Sequence, residues 1–266
     1  MPYYKEANIL FIHIPKTGGS ELEKELCKKY HQTCRSDQPY NKILPHPYNK
    51  NSMQHQFYNT LFMYREKLDI DFAKAKVVAF IRNPYDRVIS DLFWFNLINQ
   101  SDKPERVLEV LKNQYINNEN LDNHNQPQFK FISDEHGNLH KNIKLFRCEN
   151  LNNENVELNE FLGVETNMIR DNVNKDYSAY FNEESRNLIE NFYERDFNLL
   201  NYDHCREKPK PLERGAEGRS AGGRGAGQHP PRLGHFLRSD RDVVRRNPRP
   251  NDRRSAGGRR RRPKRN

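Results

Sequence analysis

The chain has 266 residues and a formal net charge of +9, and this charge is unevenly distributed. Residues 206–266 hold 20 Lys and Arg against 6 Asp and Glu, a net charge of +14, which leaves residues 1–205 at −5. No apolar stretch approaches the roughly 20 residues that a membrane span needs, and no signal peptide opens the chain, so the sequence predicts a cytoplasmic protein.

The first predicted elements are a strand, a glycine turn and a helix. Residues 8–14 form a short apolar run bounded by Pro15, which indicates a buried strand. After the glycines, Leu22, Leu26 and Tyr30 fall on one face of a helix. Residues 8–30 are therefore predicted to form a strand–turn–helix unit.

The elements that follow along the chain are again strands and helices in alternation. A second buried strand is predicted at the apolar residues 76–81, and a third strand is predicted at residues 142–147. Helices are predicted where apolar residues recur at helical spacing, at residues 57–69, 88–98, 104–116, 154–162 and 182–202. Strands that alternate with helices predict an α/β fold, in which a P-loop-like parallel sheet is covered by helices on both faces.

The first chemically informative motif is the turn IPKTGGS. Its lysine precedes the glycines, which reverses the order found in a Walker A loop. A turn from strand to helix aims the first backbone N–H groups of the helix outward, and with the helix dipole these groups form an anion site. Lys16 adds a charge, Thr17 and Ser20 add hydroxyl groups, and Gly18 and Gly19 leave space for an approaching phosphate.

The start of the following helix has a signature of its own. Ser20 and Glu23 form the S-x-x-E pattern of a capping box, which predicts that the helix begins at Ser20. The alternative to an anion site is an ordinary strand–helix turn with this cap.

The second motif is RNPYDRVIS, at the carboxyl end of the strand predicted at residues 76–81. Ligands of open α/β sheets bind outside the carboxyl ends of the strands. Arg82 would reach that crevice from the strand end, and Ser90, two turns into the next helix, could bind the same anion. The alternative is that Arg82 pairs with Asp86 and that Ser90 is an ordinary surface residue.

Together the two motifs resemble the sulfotransferases that use 3′-phosphoadenosine 5′-phosphosulfate (PAPS). The resemblance is closest to the HIPKTGG(T/S) branch, which is related to the carbohydrate and heparan-sulfate 2-O-sulfotransferases. The segments QPQFKFISDEHGN and KLFRCENL and the last predicted helix extend the resemblance over about residues 8–203. It implies that the turn binds the phosphosulfate through Lys16 and the four residues that follow, and that Arg82 and Ser90 bind the 3′-phosphate.

The resemblance also implies a mechanism. Lys16 would stabilise the leaving phosphate at the bridging oxygen, with no metal, during in-line transfer of the sulfuryl group. Members of this branch place the general base some two dozen residues before the arginine. His55 lies 27 residues before Arg82 and is the candidate base, with His46 as its rival. His13 is expected to orient the loop or to fill the strand.

The acceptor implied by the resemblance is a hydroxyl group on a carbohydrate. The missing signal and membrane anchor depart from Golgi-resident members. The body's net charge of −5 indicates no obvious basic groove for a sulfated polymer, although a local patch could form from Lys24, Lys28, Lys29 and Arg35. Three alternatives stay open: a P-loop-type phosphotransferase, a nucleic-acid-binding protein that acts through its basic tail, and an inactive family member that binds the desulfated cofactor (PAP).

The tail and the cysteines complete the predictions. Residues 206–266 are rich in Arg, Gly and Pro and poor in large apolar residues, which predicts disorder. They could form a nucleic-acid arm, but apart from Phe236 no aromatic residues interleave with the arginines, so a segment foreign to the fold is favoured. Residues 1–205 are predicted to be the sulfotransferase domain. The four cysteines, which form no C-x-x-C pair, are expected to be free thiols: Cys27, Cys34, Cys148 and Cys205.

Overall fold

The computed structural model of the chain describes residues 2–32, 43–168 and 176–204. The predicted basic tail, its boundary with the body, and Cys34 and Cys205 lie outside the described residues.

A four-stranded sheet forms the centre of the fold, in the order β1-β2-β3-β4. Its strands are β1 (Tyr3–Tyr4), β2 (Ile9–Ile12), β3 (Lys76–Ile81) and β4 (Ile143–Arg147). Strands β2, β3 and β4 are parallel, and β1 pairs antiparallel with β2. The prediction of an entirely parallel sheet is therefore wrong at this edge, and the sheet is mixed.

The short connection between β1 and β2 explains the antiparallel edge. A 3-10 turn at Lys5–Ala7 is followed by Asn8 in the left-handed region, with φ of 51°, and the chain reverses there. A reversal this short joins only antiparallel neighbours, because parallel strands need a crossover of a dozen or more residues. Strand β1 lies before the run that indicated the first strand, so the alternating pattern of the sequence does not include it.

Eight α-helices occur in the described part of the chain: α1 (Gly19–Lys29), α2 (Tyr58–Met63), α3 (Pro84–Trp94), α4 (Pro104–Val110), α5 (Phe129–Ile132), α6 (Leu151–Leu162), α7 (Glu183–Phe192) and α8 (Glu194–Leu200). Helix α2 is shorter than predicted, and α4 continues into a π-helical turn at Leu111–Tyr115. The single helix predicted at 182–202 is wrong, because α7 ends at Phe192, Tyr193 caps it, and α8 follows as a separate helix.

The two faces of the sheet are covered by different helices. Leu10, Ile12 and Val77 belong to a core shared with α2, α3, α4, α5, α7 and α8. Phe11 and Val78, which alternate with them along the strands, belong to a second core shared with α1 and α6. Side chains of successive strand residues point to opposite faces, so this alternation confirms a sheet covered on both sides.

The parallel strands position the two motifs. Strands β2 and β3 end at Ile12 and Ile81, side by side at the edge of the sheet that the carboxyl ends of its parallel strands form. The loop after β2 leads into α1, and the segment after β3 leads into α3, so both predicted anion-binding segments start from this edge. Among the described residues no helix is both long and apolar enough to cross a membrane. Cys27 and Cys148 are buried and form no disulfide, as predicted.

Candidate active site

The turn between β2 and α1 is held by its own backbone and by one hydroxyl group. Lys16 and Gly18 adopt left-handed conformations, with φ of 64° and 93°. Thr17 is fully buried, and its Oγ1 donates a hydrogen bond to the carbonyl oxygen of Ile14 at 2.8 Å. The hydroxyl that was expected to point toward a phosphate thus closes the turn in this structure.

Helix α1 begins at Gly19, with Gly18 as its N-cap and no side-chain cap. The predicted capping box of Ser20 and Glu23 is therefore wrong, and Ser20 lies inside the first turn. With Gly18 in the left-handed conformation, the helix begins at Gly19, one residue before the predicted start at Ser20. Glu23 points toward His13 and not toward the start of the helix. Its Oε1 lies 3.1 Å from His13 Nδ1, at ion-pair distance but without hydrogen-bond geometry.

Gly19 is required by the packing beneath the turn. A Cβ atom at this position would lie 2.5 Å from Cζ of Phe11 and 2.7 Å from Cδ2 of His13. Both rings are buried and stack on each other, with centroids 5.3 Å apart. The sequence suggested that this glycine makes space for an anion, and the structure shows that it makes space for two rings of strand β2 and the turn after it.

Arg82 joins the two motifs. It is buried directly after β3, and its Nη1 donates a hydrogen bond to the carbonyl oxygen of Lys16 at 3.1 Å. The backbone N–H of Arg82 donates to Oε1 of Gln128 at 2.9 Å, and Nε2 of Gln128 donates to the Arg82 carbonyl at 2.7 Å. Gln128 therefore pairs with the backbone of Arg82 just beyond β3, as a residue of a neighbouring strand would, and this pairing fixes the backbone of Arg82.

A second arginine of the same motif supports the turn from the other side. Arg87 is completely buried, and its Nε donates to the carbonyl oxygen of Pro15 at 3.1 Å. Its Nη2 donates to the carbonyl oxygens of His124 and of Gln126, the latter at 2.9 Å. Arg87 thereby ties the turn to the segment before α5. Sequence reasoning missed this role, although the residue lies within the quoted motif.

One face of α3 borders the turn. Ser90, the predicted ligand of the 3′-phosphate, is half-buried on this helix, and Trp94 lies four residues later on the same face. The Lys16 ammonium lies over the Trp94 ring, 4.3 Å from its centroid. The structure thus brings Lys16, Arg82 and the Ser90 face of α3 together, and it adds an indole ring that the sequence analysis did not consider.

His55 lies in a 3-10 turn at Met53–His55 and is only 5 % exposed, so it is a buried histidine. Its Nδ1 lies 2.7 Å from Oδ2 of Asp122, and its Nε2 lies 3.1 Å from the amide nitrogen of Gln54. Burial lowers the pKa of His55 to about 4, against the opposing effect of the hydrogen bond with Asp122.

The low pKa of His55 determines the protonation state of the His55–Asp122 pair. Near neutral pH His55 is a neutral imidazole, so its Nδ1–H donates to the Asp122 carboxylate and its Nε2 keeps a lone pair. Burial alone would raise the pKa of Asp122, but hydrogen bonds from His55 and from the Ser52 backbone outweigh burial and lower it. The Ser52 N–H donates to the other oxygen of Asp122 at 2.5 Å. Asp122 was missed because the contact spans 67 residues.

Three histidine rings lie in a row beside the turn. The centroids of His13 and His55 are 5.3 Å apart, and those of His55 and His124 are 4.8 Å apart, both in edge-to-face arrangement. His124 Nδ1 lies 2.7 Å from Oδ1 of Asp91. His13 thus lies between the rings of Phe11 and His55. His46, the rival candidate base, is exposed.

The same row contains a potential metal-binding group. His55, Asp122 and His124 offer ligand atoms that all lie within 4.8 Å of one another. Such a set of two imidazoles and a carboxylate suits a divalent ion such as Zn²⁺ in its chemistry, but Nδ1 of each histidine is engaged by a carboxylate. The prediction of a metal-free reaction stays a prediction.

Comparisons with known proteins agree with this geometry at the level of the family. The model of the sulfotransferase family matches residues 3–203, about three quarters of the chain and nearly the whole described fold. Searches of curated proteins and of solved structures gave no match. The match covers the turn, the Arg82 segment and the closing helices together, and the chain therefore belongs to the sulfotransferase family, a family of enzymes that transfer sulfuryl groups and generally use PAPS as the donor.

Proposed function

We propose that this protein transfers the sulfuryl group of PAPS to a hydroxyl group on a carbohydrate. The observation that carries the proposal is the hydrogen bond from Arg82 to the Lys16 carbonyl. It joins two candidate anion sites at one edge of the sheet, and PAPS has two phosphate groups at opposite ends of its ribose. A nucleotide without the 3′-phosphate would leave one of these sites unused.

In this proposal the turn holds the phosphosulfate. The N-terminal N–H groups of α1 and the positive end of its dipole face the anion, and α1 is long enough, at 11 residues, for both effects. Lys16, Thr17, Gly18 and Gly19 shape the turn, and Ser20 adds a hydroxyl group within the first helical turn. Arg82 and Ser90 bind the 3′-phosphate on the neighbouring strand end and on α3.

Lys16 stabilises the leaving group. As the S–O bond to the acceptor forms, the bond between sulfur and the bridging oxygen breaks, and negative charge develops on the departing 5′-phosphate of PAP. The Lys16 ammonium, which rests over Trp94 at 4.3 Å, has a flexible stem and can reach that oxygen. The chain's own lysine thus supplies the positive charge that a metal ion supplies in many phosphoryl-transfer enzymes.

His55 removes the proton of the acceptor hydroxyl. Asp122 holds Nδ1–H, so the lone pair of Nε2 is the basic site, and the Gln54 amide that contacts it must give way to the acceptor. After the transfer Asp122 stabilises the imidazolium that forms. The low pKa of His55 keeps the imidazole unprotonated before the reaction. The negative charge of the bound donor then raises the affinity of His55 for the proton of the acceptor hydroxyl.

Donor binding is tested by thermal unfolding with PAP and with ATP–Mg²⁺. We expect PAP to raise the melting temperature and Arg82→Ala to remove most of this effect, because Arg82 binds the 3′-phosphate that ATP lacks. Lys24→Ala is the matched control, since Lys24 is an exposed lysine on α1 that pairs with Glu21 at 2.7 Å. Stabilisation by ATP–Mg²⁺ without stabilisation by PAP would refute the proposal in favour of a phosphotransferase.

A further inference from the structure

Trp94 is an exposed indole at the proposed point of transfer. It is the last residue of α3 and the chain's single tryptophan, and it is 56 % exposed. An exposed apolar side chain alone needs no explanation. Trp94 differs because its ring contacts the Lys16 ammonium, the group that faces the bridging oxygen of the donor in the proposed reaction.

The neighbours of Trp94 fix the end of α3 that carries it. Phe93 packs edge-to-face against Tyr180, with centroids 5.5 Å apart, and Phe95 packs edge-to-face against His124 at 5.0 Å. The residues on both sides of Trp94 are therefore anchored in the fold, while the indole between them faces solvent. Because the backbone that carries the ring is already fixed, little backbone freedom is lost when a ligand packs on it, which favours binding.

The charge of the body limits the kind of acceptor. Residues 1–205 carry a net charge of −5, which disfavours a polyanionic acceptor such as a heavily sulfated polymer. An uncharged sugar ring avoids this repulsion and has two kinds of surface. Its C–H face packs on an aromatic ring, and its hydroxyl groups project from the edge, where one of them can take the sulfuryl group.

We propose that Trp94 is the acceptor-binding residue, and that an uncharged cyclic sugar stacks on its exposed indole surface. The contact would place a hydroxyl group of the sugar beside Lys16 and the bound donor. This inference rests on the proposed function, because it takes Lys16 to mark the point of transfer. It adds a residue that selects the acceptor and a preference for uncharged rings over polyanions.

The experiment measures transfer of labelled sulfate from PAPS to methyl β-D-galactopyranoside, methyl β-D-glucopyranoside, sorbitol and a heparin oligosaccharide. Sorbitol offers similar hydroxyl groups without a ring face. We expect a methyl glycoside to be preferred over sorbitol and heparin, and Trp94→Ala to raise its KM roughly tenfold, with a smaller rise for Trp94→Phe. The affinity for PAP, measured by calorimetry, should change much less than the acceptor KM.

Fluorescence adds a direct readout, because all tryptophan emission comes from Trp94. With PAP saturating, the methyl glycoside should shift this emission and sorbitol should not. Four results would each overturn the inference. They are an unchanged acceptor KM in Trp94→Ala, use of sorbitol equal to that of the methyl glycoside, a preference for heparin, and Trp94 emission that changes with protein concentration but not with the glycoside. In all four cases PAP binding would leave the proposed function standing, whereas a wild-type protein that does not bind PAP would overturn both.

Discussion

The burial of His55 predicts a specific loss of stability in acid. Its pKa is lowered from 6.5 to about 4, so the folded protein binds this proton less tightly than the unfolded chain. The stabilising effect is fully present above pH 6.5 and is lost as the pH falls toward 4. These two pKa values correspond to a loss of about 2 kcal/mol in the free energy of unfolding between pH 8 and pH 5, and about 3 kcal/mol once the loss is complete.

The test compares the wild type with His55→Gln by urea unfolding at pH 8, 7, 6 and 5. Removing the titrating imidazole should flatten the profile of the variant by about 2 kcal/mol over this range, whatever its absolute stability. His46→Gln, which removes an exposed histidine, should keep the steeper profile of the wild type. Equal losses of stability in the wild type and in His55→Gln would show that His55 is not buried as a neutral imidazole.

Three further changes test other contacts of the site. Gly19→Ala should lower the free energy of unfolding by about 1–3 kcal/mol, because its Cβ would lie 2.5 Å from Phe11; thermal unfolding unchanged from the wild type would contradict this packing. Asp122→Asn should lower kcat by roughly 10²–10⁴ with PAP affinity retained, and an unaltered kcat would remove the histidine base from the mechanism. Gln128→Ala should cost about 2 kcal/mol and raise the KM for PAPS, because it leaves the buried backbone groups of Arg82 unpaired; a KM equal to that of the wild type would argue that Gln128 does not position the donor site.

The central part of the fold could be predicted because its signals are local. The apolar run at residues 76–81 coincides with β3, and the prediction that Arg82 and the lysine turn share one sheet edge follows from parallel strands alone. The two-residue strand β1 gave no such signal. The capping box also misled, because the same Ser-x-x-Glu spacing occurs here in a helix that begins at Gly19.

The surroundings of the candidate base could not be predicted, because they depend on contacts between distant segments. Asp122 lies in an Asn-rich loop without periodicity, and only the folded chain brings it to His55. His124 is placed in the same way, by the contact of its Nδ1 with Asp91 and by a hydrogen bond from the Arg87 guanidinium to its backbone carbonyl oxygen. No sequence signal distinguished Trp94, and its exposure beside Lys16 emerges only from the orientation of α3.

The measurement that tests the central claim most directly is transfer of labelled sulfate from PAPS by the wild type and by Lys16→Ala, with Lys24→Ala as control. We predict transfer to a hydroxyl acceptor by the wild type and by the control, and a loss of roughly 10²–10³ in kcat for Lys16→Ala in a protein that still folds. Turnover by Lys16→Ala at nearly the wild-type rate would contradict the assignment of Lys16 to the leaving phosphate, and the proposed mechanism with it.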